Sequence, residues 1–173
     1  MSKTAAAVLT FVCFMCAIPM SAQLIPHGNV FVGVGYGQLT YVTNQQSYKG
    51  WEGSFEAMPF IRFRHLGLVI DGSGFYRKAN VGNIVQYNGL AGVRYSGNFG
   101  KWRPFVQGMG GIQHIDAGGI IYNPPLWDIG GGADYKIPFK KFAWRFQGDY
   151  MRSYYASAQQ NHYRASTGLV WRF

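Results

Sequence analysis

The stretch HYRASTGLVWRF, residues 162–173, alternates strictly between two kinds of side chain and stops on an aromatic. Tyr163, Ala165, Thr167, Leu169, Trp171 and Phe173 make one set, and His162, Arg164, Ser166, Gly168, Val170 and Arg172 make the other. Residues two apart share a face of a strand, so the first set suits an apolar medium and the second a polar one. The pattern predicts a strand with lipid on one side and a wet or charged interior on the other.

Composition agrees with such a strand. Charged residues are only 13% of the chain and aromatics are 17%, yet beyond the N-terminus no run is apolar for long enough to span a bilayer as a helix. The N-terminus carries Lys3, an apolar run over residues 5–18, a break at Pro19 and the small residues Ser21 and Ala22. That is the layout of a cleaved secretory leader, so residues 1–22 are read as a signal peptide and residues 23–173 as a single exported domain. The competing reading is a first membrane anchor, but the run is short and no stop-transfer charges follow it. Both cysteines, Cys13 and Cys16, fall inside the leader, which leaves the exported chain without thiol chemistry. Bulky residues precede each cysteine, unlike the Leu and small residues before a lipoprotein's acylated cysteine.

The formal charge is +9, or +8 once Lys3 leaves with the leader. Nucleic acid is not expected as a partner, because the basic residues are dispersed, export is implied and no recognised nucleic-acid motif occurs.

The same alternation, broken at turn residues, traces eight strands over residues 29–41, 51–63, 66–77, 87–96, 102–115, 126–137, 142–154 and 162–173. Short connections (64–65, 97–101, 138–141) alternate with longer polar ones (42–50, 78–86, 116–125, 155–161). An up-and-down membrane barrel has that asymmetry, with short periplasmic turns, long external loops and an even strand number. The expected fold is an all-β, eight-stranded antiparallel transmembrane barrel.

Val30, Val32, Val34, Tyr36, Phe55, Ile61, Leu68, Ile70, Phe142, Trp144, Phe146 and Tyr150 form the expected lipid-facing set. Trp51, Tyr76, Tyr95, Trp102, Trp127 and Tyr135 sit near strand ends, where amphipathic rings meet headgroups. The opposite faces collect Glu56, Asp71, Arg94, Gln107, Asp128, Asp134, Arg145, Gln147, Asp149 and Arg164. An Arg aimed at the bilayer midplane costs about 2–4 kcal/mol, so Arg145 and Arg164 largely fix which parity faces inward. Inside a narrow barrel these charges must pair, and Glu56, Asp71, Arg94, Asp134, Arg145, Asp149 and Arg164 are the expected interior charge network. Inward glycines, among them Gly33, Gly92, Gly130 and Gly168, make room for the long side chains.

The segments GGGADY (130–135), KFAWRFQGDY (141–150) and RASTGLVWRF (164–173) resemble the small single-domain outer-membrane β-barrels of Gram-negative bacteria, the class with the fold of the OmpA transmembrane domain. The resemblance spans essentially the whole mature chain. It implies that the barrel-assembly machinery reads Phe173 as a terminal signal, supported by Tyr163, Leu169 and Trp171. A peptidoglycan-binding domain like that of full-length OmpA is not expected, since the sequence stops at Phe173. No cell-wall tether is implied.

Three tempting chemistries weigh less. The run VGYG at 34–37 echoes a potassium-channel filter, but that carbonyl cage needs flanking helices and fourfold assembly. Some eight-stranded outer-membrane proteins modify lipid A, and His114 or His162 near the external rim could serve as base for Ser153 or Ser157, with Asp116 nearby. No His-x-Ser pair occurs, and no enzyme is expected. His27, His65, His114 and His162 lack ligand spacing, so neither a metal site nor a cofactor is expected. A secreted lipocalin-like barrel is the rival fold, but it needs an apolar cavity and a polar exterior, the inverse of the parity read here.

The leading expectation is therefore an outer-membrane barrel with a plugged polar interior and a structural or adhesion-like role through four external loops. Tyr48, Ile120, Ile121, Tyr122, Tyr154 and Tyr155 lie in or beside those loops, as an adhesive surface or as local packing. Alternatives are a small-solute pore and a lipid A modifying enzyme. Outer-membrane lipids, the assembly machinery and a surface ligand are the expected partners. Basic clusters in the short turns (Arg62, Arg64 and His65; Lys101 and Arg103; Lys136, Lys140 and Lys141) suit anionic inner-leaflet headgroups, or plain solvated turns.

Overall fold

A computed structural model of the chain describes residues 27–41, 44–59, 65–79, 82–117, 119–154 and 159–173. The leader at 1–22, with Cys13 and Cys16, lies outside the described residues, as do Ile61, Arg62, Arg64, Tyr155 and Ser157. The strands are β1 (Gly28–Tyr41), β2 (Asn44–Ala57), β3 (Leu66–Ala79), β4 (Gly82–Ser96), β5 (Trp102–Ala117), β6 (Ile120–Tyr122), β7 (Pro125–Lys136), β8 (Phe142–Tyr154) and β9 (Gln159–Arg172). All but the three-residue β6 are staves of one barrel. They pair antiparallel in the order β4-β3-β2-β1-β9-β8-β7-β5, and β4 also pairs with β5, so the sheet closes on itself. Closure leaves no open edge and satisfies backbone polar groups within the sheet, which a lipid surround demands. No helix among the described residues is long and apolar enough to cross a membrane.

Period-two alternation governs every stave. On β1, Val32 and Val34 are each 65% exposed while Phe31 between neighbouring staves is buried. On β8 the pattern runs exposed Trp144, buried Arg145, exposed Phe146, buried Gln147. The apolar side chains thus face outward and the charges inward, opposite to a soluble barrel. The lumen is not wholly polar: Val69, Leu90, Met109, Leu126 and Met151 form one interior cluster, and Phe31, Ala143 and Val170 another.

The connections depart from the expected lengths. The register continues to Tyr41↔Asn44 on one hairpin and Ala79↔Gly82 on another, so residues 44–50 and 82–86, expected as loop, are strand. At the other end β2 stops at Ala57 instead of reaching residue 63, and the link to β3 spans 58–65. The expected asymmetry is thus carried at one end by paired strand extensions and by β6 instead of by long loops, while the links at the other end span 58–65, 97–101 and 137–141. The physical reason is that a hairpin extending past the apolar band has no lipid on its outer face. It keeps its ladder bonds and its inner face still packs, with Tyr48, expected in an adhesive loop, buried with Phe75, but polar Ser47 and Lys49 face outward, so NQQSYKG at 44–50 carries little strand signal. Residues 116–125 were likewise expected as loop, but β6 pairs back onto β5 before β7 takes over at Ile112↔Pro125. Pro124 and Pro125, which lack N–H groups, mark that handover. The end carrying 58–65, 97–101 and 137–141 is called the turn end, and the opposite one the tip end.

Candidate functional site

The densest chemistry lies along the barrel axis, where inward parity brings charged side chains from every stave but β1, and Asn29 from β1, to within bonding distance. They form two layers. Nearer the turn end, Glu56 on β2 accepts from Arg94 on β4 at 3.2 Å, Arg103 on β5 at 3.1 Å and Asn29 on β1 at 2.7 Å. Asp134 on β7 is gripped by two nitrogens of Arg145 on the adjacent β8, Nε at 2.7 Å and Nη2 at 3.1 Å. Arg172 adds a contact to the same carboxylate at 3.4 Å. The Phe105 ring lies against both Arg94 and Arg145, at 4.3 and 4.7 Å from the guanidinium carbons. Delocalised cations stack on aromatic faces without losing their in-plane hydrogen bonds, so one apolar ring spaces two like charges.

The middle layer has the opposite balance. Arg164 on β9 donates to Asp149 at 2.8 Å and Asp71 at 2.9 Å, and lies 3.4 Å from Glu52 and 3.8 Å from Asp128. Four carboxylates from β2, β3, β7 and β8 therefore surround one guanidinium. Gln147 donates to Glu52 at 3.0 Å and to Asp149 at 2.9 Å, relieving part of the excess. Neither oxygen of the buried Asp128 has a hydrogen-bond partner among the described residues. Gln107 joins the layers: its Oε1 accepts from Arg94 and its Nε2 donates to Asp149 at 2.9 Å. Because removing one partner of a buried pair strands the other, each of these contacts constrains the barrel's shape.

The seven charges expected inside, Glu56, Asp71, Arg94, Asp134, Arg145, Asp149 and Arg164, are all buried and all lie in these two layers. Glu52 escaped the reading although it shares the parity of Glu56, a signal that counting by twos would have found. Arg103 is a correction: read as turn charge beside Lys101, it is buried and bonded to Glu56 and Ser96. It follows Trp102 at the start of β5, so its parity already belongs to the strand. Phe31 and Phe105 were invisible for a different reason, since an inward aromatic looks like a break in the alternation.

At the tip end Ser153 on β8 and His162 on β9, whose register partners are Gln160 and Met151, meet diagonally with Oγ and Nε2 2.8 Å apart. Both are buried, and His162 Nδ1 has no partner among the described residues. A nucleophile and a base touch here, but among the described residues no acid bonds the imidazole to orient it. His114 instead lies on the exposed rim, its Nδ1 2.7 Å from Asn123 Oδ1, and Asp116 accepts from the Gly119 amide. Among the described residues no three His, Cys, Asp or Glu side chains are arranged to hold a metal ion.

Tyr163, Leu169, Trp171 and Phe173 share the outer face of β9 and its end, each more than one-third exposed. Phe173 stacks on Phe55 with ring centroids 6.1 Å apart and lies 5.5 Å from Trp171. Its backbone exchanges two hydrogen bonds with Gly28, closing the seam between β9 and β1.

No protein-family model matches the chain, and no curated protein matches it. Solved structures do. Neisserial surface protein A (NspA) superposes with a TM-score of 0.70 at 13% identity, covering 84% of this chain and 97% of that one. Ail, the attachment invasion locus protein of Yersinia pestis, gives 0.58 at 14% identity, covering 85% and 98%. The N-terminal β-barrel domain of Pseudomonas aeruginosa OprF gives 0.53 at 15% identity, covering 83% and 97%. At these identities the likeness is one of architecture, and it reaches across the whole barrel: the chain has the closed eight-stranded antiparallel fold of the NspA and Ail type of outer-membrane β-barrel.

Proposed function

We propose that the chain is an integral outer-membrane protein of a Gram-negative bacterium, exported behind a leader cleaved after Ala22, with a sealed lumen and a structural and surface-interactive role. The observation that carries this reading is Arg164 held among Glu52, Asp71, Asp128 and Asp149 at the middle of a barrel whose outside is apolar. Eight staves enclose a space that side chains fill, and here the filling is cross-linked by ion pairs. The turn end then faces the periplasm and the tip end the exterior. Phe173, with Tyr163, Leu169 and Trp171, serves as the signal for the assembly machinery.

The interactive part rests on the tip end. Ile121, Tyr122 and Tyr154 are exposed there, and the guanidinium of half-buried Arg152 lies 5.7 Å from the centre of the Tyr154 ring. Ail, named for attachment and invasion, has been solved with the heparin analogue sucrose octasulfate, and aromatics beside cations suit an anionic surface ligand of that general kind.

Planar-bilayer recording of the purified, heat-modifiable protein tests the seal. Silence is expected; stable openings would favour a small-solute pore. Attachment of cells expressing the protein tests the surface role, with shortened hairpin tips as the comparison. Unchanged attachment would leave only the structural role. A lipid A enzyme would instead alter the acylation seen by mass spectrometry of extracted lipid A.

A further inference from the structure

We infer that the turn end carries a docking crescent for anionic phospholipid headgroups, formed by Lys101, Lys136, Lys140 and Lys141 with Phe99 and Phe139 as apolar wedges. The inference deepens the outer-membrane reading and rests on it for which leaflet is met.

Three observations carry it. The first is contiguity. The Lys136 amide donates to the Lys101 carbonyl at 2.8 Å, and Lys140 and Lys141 follow in the turn from β7 to β8, so the lysines lie along the adjacent rims of β5, β7 and β8. All four are exposed. The second is the absence of local compensation. Of the chain's seven acidic residues, Glu52, Glu56, Asp71, Asp128, Asp134 and Asp149 are buried in the lumen, and Asp116 is at the tip end. Among the described residues the turn end therefore exposes no acidic side chain. The third is the pair of rings at the turn tips: Phe99 and Phe139 are each 70% exposed, just beyond the girdle pair Trp102 and Tyr135, whose centroids are 4.8 Å apart. A phenyl ring held in water beside lysines is badly placed, but the same ring pressed between headgroups is not.

Lysine ammoniums act on phosphate as point charges, and each one near an anionic surface strengthens attraction about fivefold. The partner that satisfies both chemistries is a lipid with an anionic phosphate head and acyl tails, such as phosphatidylglycerol.

The test is native mass spectrometry of the folded full barrel, given phosphatidylglycerol and phosphatidylcholine in equal amounts. The wild type should retain the anionic lipid at least about fivefold over the zwitterionic one, the effect of a single ammonium. K101Q/K136Q/K140Q/K141Q should bring that ratio close to one, while K49Q at the tip end leaves it unchanged. A ratio kept by the quadruple variant, or lost equally in K49Q, overturns the inference. Excess inorganic phosphate at constant ionic strength should not displace the lipid; displacement would make the crescent a free-phosphate site and overturn the lipid assignment. Heat-modifiable migration confirms that each variant is folded. A folded, membrane-fractionated chain without the preference fails this inference alone, whereas a chain with the preference that never reaches the outer-membrane fraction fails the location reading alone.

Discussion

The guanidinium of Arg164 on β9 donates to Asp71 on β3 at 2.9 Å, although two staves, β1 and β2, separate them around the wall. Wall hydrogen bonds set each strand's register, whereas this contact fixes the barrel across its width. Among the described residues Arg164 is also the one positive charge paired with the four buried carboxylates of its layer. Replacing it by Met keeps similar length and strands those acids. The expected loss is about 3–5 kcal/mol of unfolding free energy, read from urea titration in lipid vesicles. An unchanged midpoint would mean that the pairs are incidental to stability.

Asp128 predicts the opposite sign. Its oxygens lack hydrogen bonds and its distance to Arg164 is 3.8 Å, so it adds repulsion toward Glu52, Asp71 and Asp149 with little return. Asp128→Asn removes one excess negative charge at constant shape. The urea midpoint should rise, whereas a fall comparable to that of Arg164→Met would show Asp128 to be a necessary counter-ion.

Much of this was legible in residues 162–173 and 142–154, because a membrane stave has opposite media on its two faces and writes that contrast into alternate positions. Where the contrast fails, so does legibility. Residues 44–50 turn polar side chains such as Ser47 and Lys49 outward, and they read as loop despite being paired from Asn44 to Gly50. Phe105 is aromatic on the inner face because it separates Arg94 from Arg145, a three-body arrangement that no single strand encodes. Which acid would meet which Arg was also hidden, since partners such as Glu52 and Gln147 lie 95 residues apart and meet only through the closure of the barrel.

Glycines divide by face. A Cβ added at Gly92 would run into the Gly108 carbonyl and lie 2.6 Å from the Met109 Cα, both backbone of the neighbouring stave, while one added at Gly148 meets nothing within 4 Å. Gly92→Ala should therefore cost about 1–3 kcal/mol, and Gly148→Ala nearly nothing. The same urea titration decides; equal effects at the two positions would refute the assignment of faces.

Ser153 and His162 make a chemical prediction. Their 2.8 Å contact is buried on the lumen side of β8 and β9, closed to a bulky electrophile. A fluorophosphonate probe should leave Ser153 unmodified in the folded barrel, and Ser153→Ala should cost only about 1 kcal/mol, the net worth of one hydrogen bond. Specific labelling of Ser153 in the folded protein would restore the enzyme reading, because it requires both access and activation.

Phe173 has an observed role, as packing in the seam, and a proposed one, as the assembly signal, and the two are separable. As packing it touches Phe55 and Trp171, which Phe173→Ala would remove at a cost of about 1 kcal/mol, leaving its backbone bonds to Gly28 in place. As an assembly signal it acts earlier, on a chain not yet closed. The two duties differ in where the defect appears. If the signal role holds, Phe173→Ala refolds into vesicles nearly as well as wild type but yields severalfold less heat-modifiable barrel in cells, and Phe55→Ala, which breaks the same stack from the other side, spares cellular assembly. Matching losses for both variants in cells and in vesicles would instead make Phe173 an ordinary seam residue and withdraw the signal assignment.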